Sequence, residues 1–212
     1  ILAAQRIESY GAQGITVHPR PDERHIRYND VKQLKKVVNT ELNVEGNPVK
    51  GFMQLVTDVQ PHQVTLVPDA EDQLTSNAGW NIIKYKDYLR EVINELKQYG
   101  IRTSVFVDPV PEQIESAKQI GTDRIELYTE SYARGYDEDP QKAVQDFTQC
   151  AHRAEKIGLG VNAGHDLNLE NIGYFSKSLP KLDEVSIGHA LIAESLYDGL
   201  PSVINDYLKH LR

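Results

Sequence analysis

Histidine and arginine residues crowd into one short segment that follows an apolar, strand-like run near the start of the chain. In GITVHPRPDERHIR, residues 14–27, the basic side chains are His18, Arg20, Arg24, His25 and Arg27. A guanidinium group offers paired donors that suit phosphate or carboxylate, and it keeps its charge at every physiological pH. We therefore predict an anion site here, with Arg20, the arginine nearest the strand end, as the best ligand. For the other two arginines, pairing with acids of the same loop is an equally good interpretation.

Two further residues suited to proton transfer follow other apolar runs. Glu45 in LNVEGNP lies between Val44 and Gly46, and His165 in GVNAGHDLN follows two small residues that leave room for a substrate. Partial burial would raise the pKa of the Glu45 carboxyl and suit it to proton transfer near neutrality. For the segment around His165, the alternative is a tight turn in which Asp166 or Asn168 caps the next helix.

A second anion site is predicted near the end of the chain. In SIGHALI, a strand-like run reaches Gly188, and a helical pattern begins near His189. Backbone N–H groups at the start of a helix bind phosphate readily, and glycine lets the anion approach them closely. In many barrel enzymes such a phosphate site follows the last strands.

These residues follow strands in a chain that alternates strands with helices throughout. Strands are predicted at 14–18, 42–46, 63–68, 103–108, 124–129, 160–165 and 184–189. Helices are predicted near 29–40, 48–58, 86–99, 111–119, 140–156, 168–178 and 190–210. This alternation indicates an α/β fold with parallel strands, either an open doubly wound sheet or a closed (β/α)8 TIM barrel.

The barrel is favoured because no glycine-rich nucleotide-binding loop follows any strand. We therefore predict one (β/α)8 barrel domain over residues 1–212. The first residues, ILAAQRIESYGAQG, resemble the second half of a helix, so the first strand of such a barrel is missing from this sequence. We expect it to lie in a preceding segment, because seven strands alone would leave a long exposed sheet edge.

Composition restricts the partners. The formal net charge of -8 argues against nonspecific nucleic-acid binding, and no apolar stretch has the length of a membrane span. The chain has one cysteine, Cys150, which we interpret as a buried structural thiol within a helix. Together with the absence of a signal-peptide pattern, this predicts a cytoplasmic protein. A catalytic metal is disfavoured because the arginines beside His18 would repel a cation, and no typical metal-binding spacing occurs.

The segments GITVHPRPDERHIR, LNVEGNP, LTSNAGW, RIELYTESYA, GVNAGHDLN and IGHALI together resemble the pyridoxine 5'-phosphate synthase family. The resemblance runs from about residue 11 to beyond residue 200. It implies a (β/α)8 barrel, assembled as a homo-octamer, that uses neither metal nor organic cofactor. It also implies condensation of 3-amino-2-oxopropyl phosphate with 1-deoxy-D-xylulose 5-phosphate to give pyridoxine 5'-phosphate, phosphate and water.

The resemblance also implies roles for individual residues. His18 and Glu45 match proton acceptors, and His165 matches a proton donor. Residues that match ligands of deoxyxylulose phosphate are Arg20, His25 and Thr75. Gly188 and His189 match the aminoacetone phosphate site, and Asp166 occupies a further position of the same site.

One of these positions departs from the family pattern, because Asp166 stands where the family often has glycine. A carboxylate would repel a bound phosphate, so either its side chain points away or binding is weaker there. The connection 74–86, with Trp80, is interpreted either as a lid over the site or as an ordinary loop anchored by tryptophan. Two other functions stay open: a noncatalytic phosphate-binding barrel and a metal-dependent barrel hydrolase or aldolase.

Overall fold

The computed structural model of the protein describes residues 1–69 and 78–211. In these residues seven strands pair in parallel and in chain order, so the predicted α/β barrel of the TIM type is confirmed. The strands are β1 (Gly14–Val17), β2 (Glu41–Gly46), β3 (Gln63–Leu66), β4 (Arg102–Val107), β5 (Arg124–Tyr128), β6 (Gly160–Gly164) and β7 (Glu184–Ser186). The helices are α1 (Leu2–Ser9), α2 (Tyr28–Val37), α3 (Lys50–Val59), α4 (Lys86–Gln98), α5 (Pro111–Ile120), α6 (Glu130–Gly135), α7 (Pro140–Lys156), α8 (Ile172–Ser178), α9 (His189–Asp198) and α10 (Leu200–His210).

The helices form where apolar residues recur with helical spacing, and they bury those residues against the strands. In α4 the buried positions are Leu89, Val92, Ile93 and Leu96, which follow the spacing of one helix face. Residues that favour helix ends lie at the helix boundaries. At the start of α7, for example, Asp139 accepts a hydrogen bond from the backbone N–H of Lys142. The chain therefore places one apolar layer between the helices and the sheet.

Alternation along the strands divides apolar from polar side chains. In β5, Ile125 and Leu127 belong to the apolar core, whereas Glu126 lies between them in sequence and is equally buried. Successive side chains of a strand point to opposite faces, so Glu126 lies on the inner face of the barrel. The inner face of the barrel therefore carries polar side chains, and the candidate site is expected on this face.

Two predicted elements need correction, and one observed helix had no prediction. The helix predicted at 190–210 is two helices, α9 and α10, because Gly199 adopts a positive φ of 79° and the second helix begins with Pro201 in its first turn. The short helix α6 was not predicted. The strand predicted at 184–189 ends at Ser186, so Gly188 is the residue that precedes α9.

The expectation for Cys150 is confirmed, because its thiol is fully buried in α7 and burial raises its pKa to about 12. Trp80 is also buried. Its backbone N–H donates to the Phe106 carbonyl at 2.8 Å, and its ring meets Tyr85 edge to face. The part of the predicted lid from Ala78 onward is thus anchored on the barrel, and residues 74–77 lie outside the described residues.

The amino ends of the strands carry a layer of charged and amide side chains. Glu184 on β7 accepts hydrogen bonds from Arg124 at 3.0 Å and from Gln63 at 3.2 Å, which joins β7 to β5 and β3. Arg102 on β4 donates to Gln63 at 2.8 Å and pairs with Glu41. This layer fills the amino end of the interior, so an open site is expected at the carboxyl end. Of the described helices, none combines the length and apolarity that crossing a membrane requires.

Candidate active site

The first part of the site follows β1, where the chain leaves the sheet and begins the basic segment. Arg20 is buried and forms an ion pair with Asp69, with 2.9 Å between Nη2 and Oδ2. Asp69 follows β3, so this pair joins the ends of two strands that are not adjacent in the sheet. Arg20 therefore has a fixed place at the carboxyl end of the barrel, as the anion-site prediction requires.

His18 lies two residues before Arg20 and is partly buried. Burial, reinforced by the positive charge of Arg20, lowers the pKa of His18 to about 4, although the charge of Asp69 acts in the opposite direction. The imidazole is therefore neutral near pH 7 and has a lone pair that can accept a hydrogen bond or a proton. His18 and Arg20 also line a small cleft with Tyr28, Asn47 and Phe52.

Glu45 lies near the end of β2 and is partly buried. Burial, together with the charges of Glu184 and Asp69, raises the pKa of its carboxyl to about 7, although the charge of Arg20 acts in the opposite direction. The expectation of a raised pKa for Glu45 is thus confirmed. A carboxyl group that titrates near neutrality can both accept and return a proton at working pH.

Glu126 on β5 is a further titratable residue of the inner face, one that the sequence did not single out. It is 2% exposed, and Thr65 donates to its Oε2 atom at 3.3 Å. Burial raises the pKa of Glu126 well above its usual value, and the charges of Glu45 and Glu184 raise it further. The sequence held one signal for this residue: a glutamate at the inward position of an otherwise apolar strand.

His165 follows β6, directly after Gly164, which pairs with Tyr128 of β5. Its Nδ1 atom lies 2.8 Å from Oδ2 of Asp166, and its ring meets the Tyr128 ring edge to face with 5.0 Å between centroids. Asp166 does not cap the next helix. Nor does Asn168: the N-cap residue of α8 is Asn171, and Asn168 accepts hydrogen bonds from the backbone N–H groups of Glu170 and Asn171 in the turn before the helix. The Asp166 side chain is thus directed at the histidine.

The remaining predicted site residues are less enclosed. Gly188 and His189 are exposed and lie at the start of α9, after β7 and therefore at the same carboxyl edge of the sheet. Among the residues that the structure describes, none comes within 4 Å of the position that a Gly188 side chain would occupy, which leaves room for a ligand. His25 is exposed in the loop before α2, and Thr75 lies outside the described residues. Arg24 pairs with Asp22 of its own loop at 2.8 Å, which agrees with the loop interpretation.

The arrangement unites three kinds of group at one end of the barrel: a neutral imidazole, carboxyl groups with raised pKa values, and a buried arginine. Side chains at the carboxyl ends of barrel strands carry out the chemistry of such folds, and strongly shifted pKa values mark catalytic groups. Fold and site together are those of an α/β-barrel enzyme.

The comparisons agree with this class. The sequence model of the family described as pyridoxal phosphate biosynthesis protein PdxJ matches residues 1–212. A pyridoxine 5'-phosphate synthase of Christiangramia forsetii is 60% identical over 99% of this chain and 89% of its own length. A protein of the same name from Flavobacterium johnsoniae is 57% identical over 100% of this chain and 90% of its own length. The chain belongs to the PdxJ family of pyridoxal phosphate biosynthesis proteins and is a biosynthetic enzyme of the synthase type.

Solved structures support the fold alone. A 4-hydroxy-2-oxoglutarate aldolase from TTHB1 superposes with a TM-score of 0.67 at 14% identity, over 100% of this chain and 88% of its own. A thiamine phosphate pyrophosphorylase from Pyrococcus furiosus gives a TM-score of 0.64 at 11% identity, over 99% of this chain and 88% of its own. Family membership, rather than these likenesses, favours the synthase over the noncatalytic and metal-dependent alternatives.

Proposed function

We propose that this enzyme condenses 3-amino-2-oxopropyl phosphate with 1-deoxy-D-xylulose 5-phosphate to form pyridoxine 5'-phosphate, inorganic phosphate and water. The observation that carries the proposal is the grouping of His18, Glu45 and the buried Arg20–Asp69 pair at the carboxyl ends of β1, β2 and β3. Joining an amine to a ketone and closing a ring requires repeated proton removal beside carbonyl groups and protonation of departing hydroxyls. Groups that titrate near neutrality suit such a sequence of steps.

In this proposal His18 and Glu45 accept protons and His165 donates one. The neutral imidazole of His18 can accept a proton from a substrate amine or hydroxyl. Glu45, with its pKa raised to about 7, can take a proton in one step and return it in another. Burial and the charges of Glu45 and Glu184 raise the pKa of Glu126 well above its usual value, which makes it a further candidate for exchanging a proton.

The two phosphate groups would occupy separate parts of the mouth, one after β1 and the other after β7. Arg20 would hold deoxyxylulose phosphate together with His25 and Thr75, because a guanidinium group offers paired donors that match phosphate oxygens. The N-terminus of α9 would hold aminoacetone phosphate, with backbone N–H groups near Gly188 and His189 facing the anion. In this proposal, the reacting carbon atoms of the two substrates meet between these sites, near Glu45 and His165.

The direct test is an assay of the purified protein with both substrates, in which pyridoxine 5'-phosphate and released phosphate are followed together. Glu45→Gln and His165→Ala should fold normally and lose turnover by about 10²–10⁴-fold. Glu95→Gln on α4 and His152→Gln on α7 are matched controls, because both side chains are exposed on outer helices, and they should retain activity. Full activity in both active-site variants would refute the assigned roles.

Three further expectations from the sequence belong to this proposal: one domain over residues 1–212, a cytoplasmic location and a homo-octamer. The octamer rests on the family resemblance. Light scattering of the purified protein measures it directly, and a monomeric mass in an active preparation would refute it.

A further inference from the structure

The contact between Asp166 and His165 is a feature that the proposed reaction does not by itself require. Oδ2 of Asp166 lies 2.8 Å from Nδ1 of His165, although the two residues are adjacent in sequence. Neighbouring side chains meet in this way only when the backbone turns sharply between them. Here both residues have positive φ angles, 87° for His165 and 58° for Asp166.

This backbone conformation is costly for residues with side chains and must be held by the surroundings. Thr129 donates its hydroxyl proton to the carbonyl oxygen of Gly164 at 2.8 Å, and it also contacts the carbonyl oxygen of His165. Asn171 donates to the carbonyl oxygen of Asp166 at 3.2 Å. Both ends of the turn are therefore fixed by buried side chains.

The histidine ring itself is held on two sides. Asp166 occupies Nδ1, and the Tyr128 ring packs edge to face against the imidazole, with planes at 86°. Among the described residues, none forms a hydrogen bond with Nε2 of His165. A carboxylate accepts hydrogen bonds only, so Nδ1 carries the hydrogen in this contact and Nε2 is the atom left to exchange a proton with a substrate.

We propose that Asp166 is a positioning residue that fixes the orientation and tautomer of His165, so that proton transfer occurs at Nε2. This inference rests on the proposed function for the role of His165. It answers the question raised by a carboxylate in a phosphate site: the carboxylate is engaged by the imidazole beside it. An acidic partner on the far ring nitrogen of a catalytic histidine is a recurrent arrangement in enzymes.

A test that does not depend on activity uses the ring nitrogens. In ¹⁵N-labelled protein, at a pH where the ring is neutral, we expect the His165 signals to show hydrogen on Nδ1. Assignment follows from the signals that disappear in His165→Gln. In Asp166→Asn and Asp166→Gly the signals should move to the tautomer mixture of a free imidazole, and in the exposed control Asp146→Asn they should not change. An unchanged tautomer in Asp166→Gly overturns the inference.

Turnover separates positioning from binding and from folding. Asp166→Gly should lower kcat by about tenfold, less than the 10²–10⁴ that a general acid contributes, with little change in KM for either phosphate. Its Tm should stay the same or rise, because glycine adopts a φ of 58° without strain. A rise in KM at unchanged kcat would make Asp166 a ligand instead, and a sharp fall in Tm would make it a structural residue; both results overturn the inference. If wild-type protein forms no product, the proposed function fails, and the tautomer measurement still decides whether Asp166 controls the ring.

Discussion

The carboxylate of Glu126 lies against the backbone of Gly164. A methyl group built on Gly164 would come within 2.5 Å of Oε1 of Glu126 and 3.3 Å of the Ser186 side chain. The φ angle of this glycine is not positive, so space rather than backbone geometry demands glycine here. Because Gly164 has no side chain, the carboxylate of Glu126 fits beside it, one residue before His165.

Gly164→Ala should therefore displace Glu126 and destabilise the protein by about 1–3 kcal/mol, the usual cost of overpacking a core. Urea unfolding of the variant measures this change. Gly51→Ala on α3 is the matched control: its new methyl group meets only the Tyr28 side chain, at 3.4 Å or more, and should be neutral or slightly stabilising. Equal stability of Gly164→Ala and wild type would contradict the close contact.

Glu126→Gln should make the protein more stable than wild type at high pH. Because the folded-state pKa of Glu126 is raised above that of the unfolded chain, its contribution is fully present below about 4.5 and is lost as pH rises towards the folded value. Glutamine does not ionise, so the advantage of the variant should grow with pH and vanish in acid. Unfolding free energies measured across this range test the sign. Glu95→Gln, which is exposed on α4, should follow the wild-type curve.

In a plot of kcat/KM against pH, Asp69→Asn should move the acid limb to lower pH. The charge of Asp69 raises the pKa of Glu45, so its removal lowers that pKa, and the base form persists in more acidic solution. In wild type the limb should lie near pH 7 if Glu45 is the base. Because the variant also breaks a buried ion pair, its unfolding free energy should fall by about 3–5 kcal/mol.

Asp22→Asn is the control for this experiment. Asp22 forms the same kind of pair with Arg24, but at the surface, so its loss should change the unfolding free energy little and leave the limb in place. A limb that stays unshifted in Asp69→Asn would show that Glu45 does not control it.

His62 should make stability fall as the solution becomes acidic. Its Nδ1 atom accepts a hydrogen bond from the backbone N–H of Leu42 at 3.0 Å, and partial burial, with the charge of Lys35, lowers its pKa. A depressed folded-state pKa means that the contribution is present above the usual value of 6.5 and is lost as pH falls. His62→Ala should lower the unfolding free energy by about 1 kcal/mol near neutrality, and this difference from wild type should disappear in acid. His152→Ala, exposed on α7, should show no such difference between the two conditions.

The order and type of the strands were predictable because parallel strands between amphipathic helices leave a strong periodic pattern. The break between α9 and α10 was missed because helical periodicity continues across Gly199, whose positive φ emerges only when the second helix packs on the barrel. The helix α6 is six residues long, too short to show a pattern of its own.

Site residues were predictable where a reactive side chain follows a strand directly, as at His18, Glu45 and His165. The partners of these residues were not, because they come from distant parts of the chain: Asp69 reaches Arg20 from another strand end. The direction of Asp166 was equally hidden, since it depends on two backbone angles that residue types alone do not determine.

The buried thiol in α7 has a practical consequence for experiments in solution. Cys150 is fully buried and its pKa is raised to about 12, so maleimide reagents should not react with its thiol. A cysteine introduced at the exposed position Ile83 could then carry a single fluorophore without removal of the native one. The protein is therefore suited to site-selective labelling, and the emission of the fluorophore would follow substrate addition in real time.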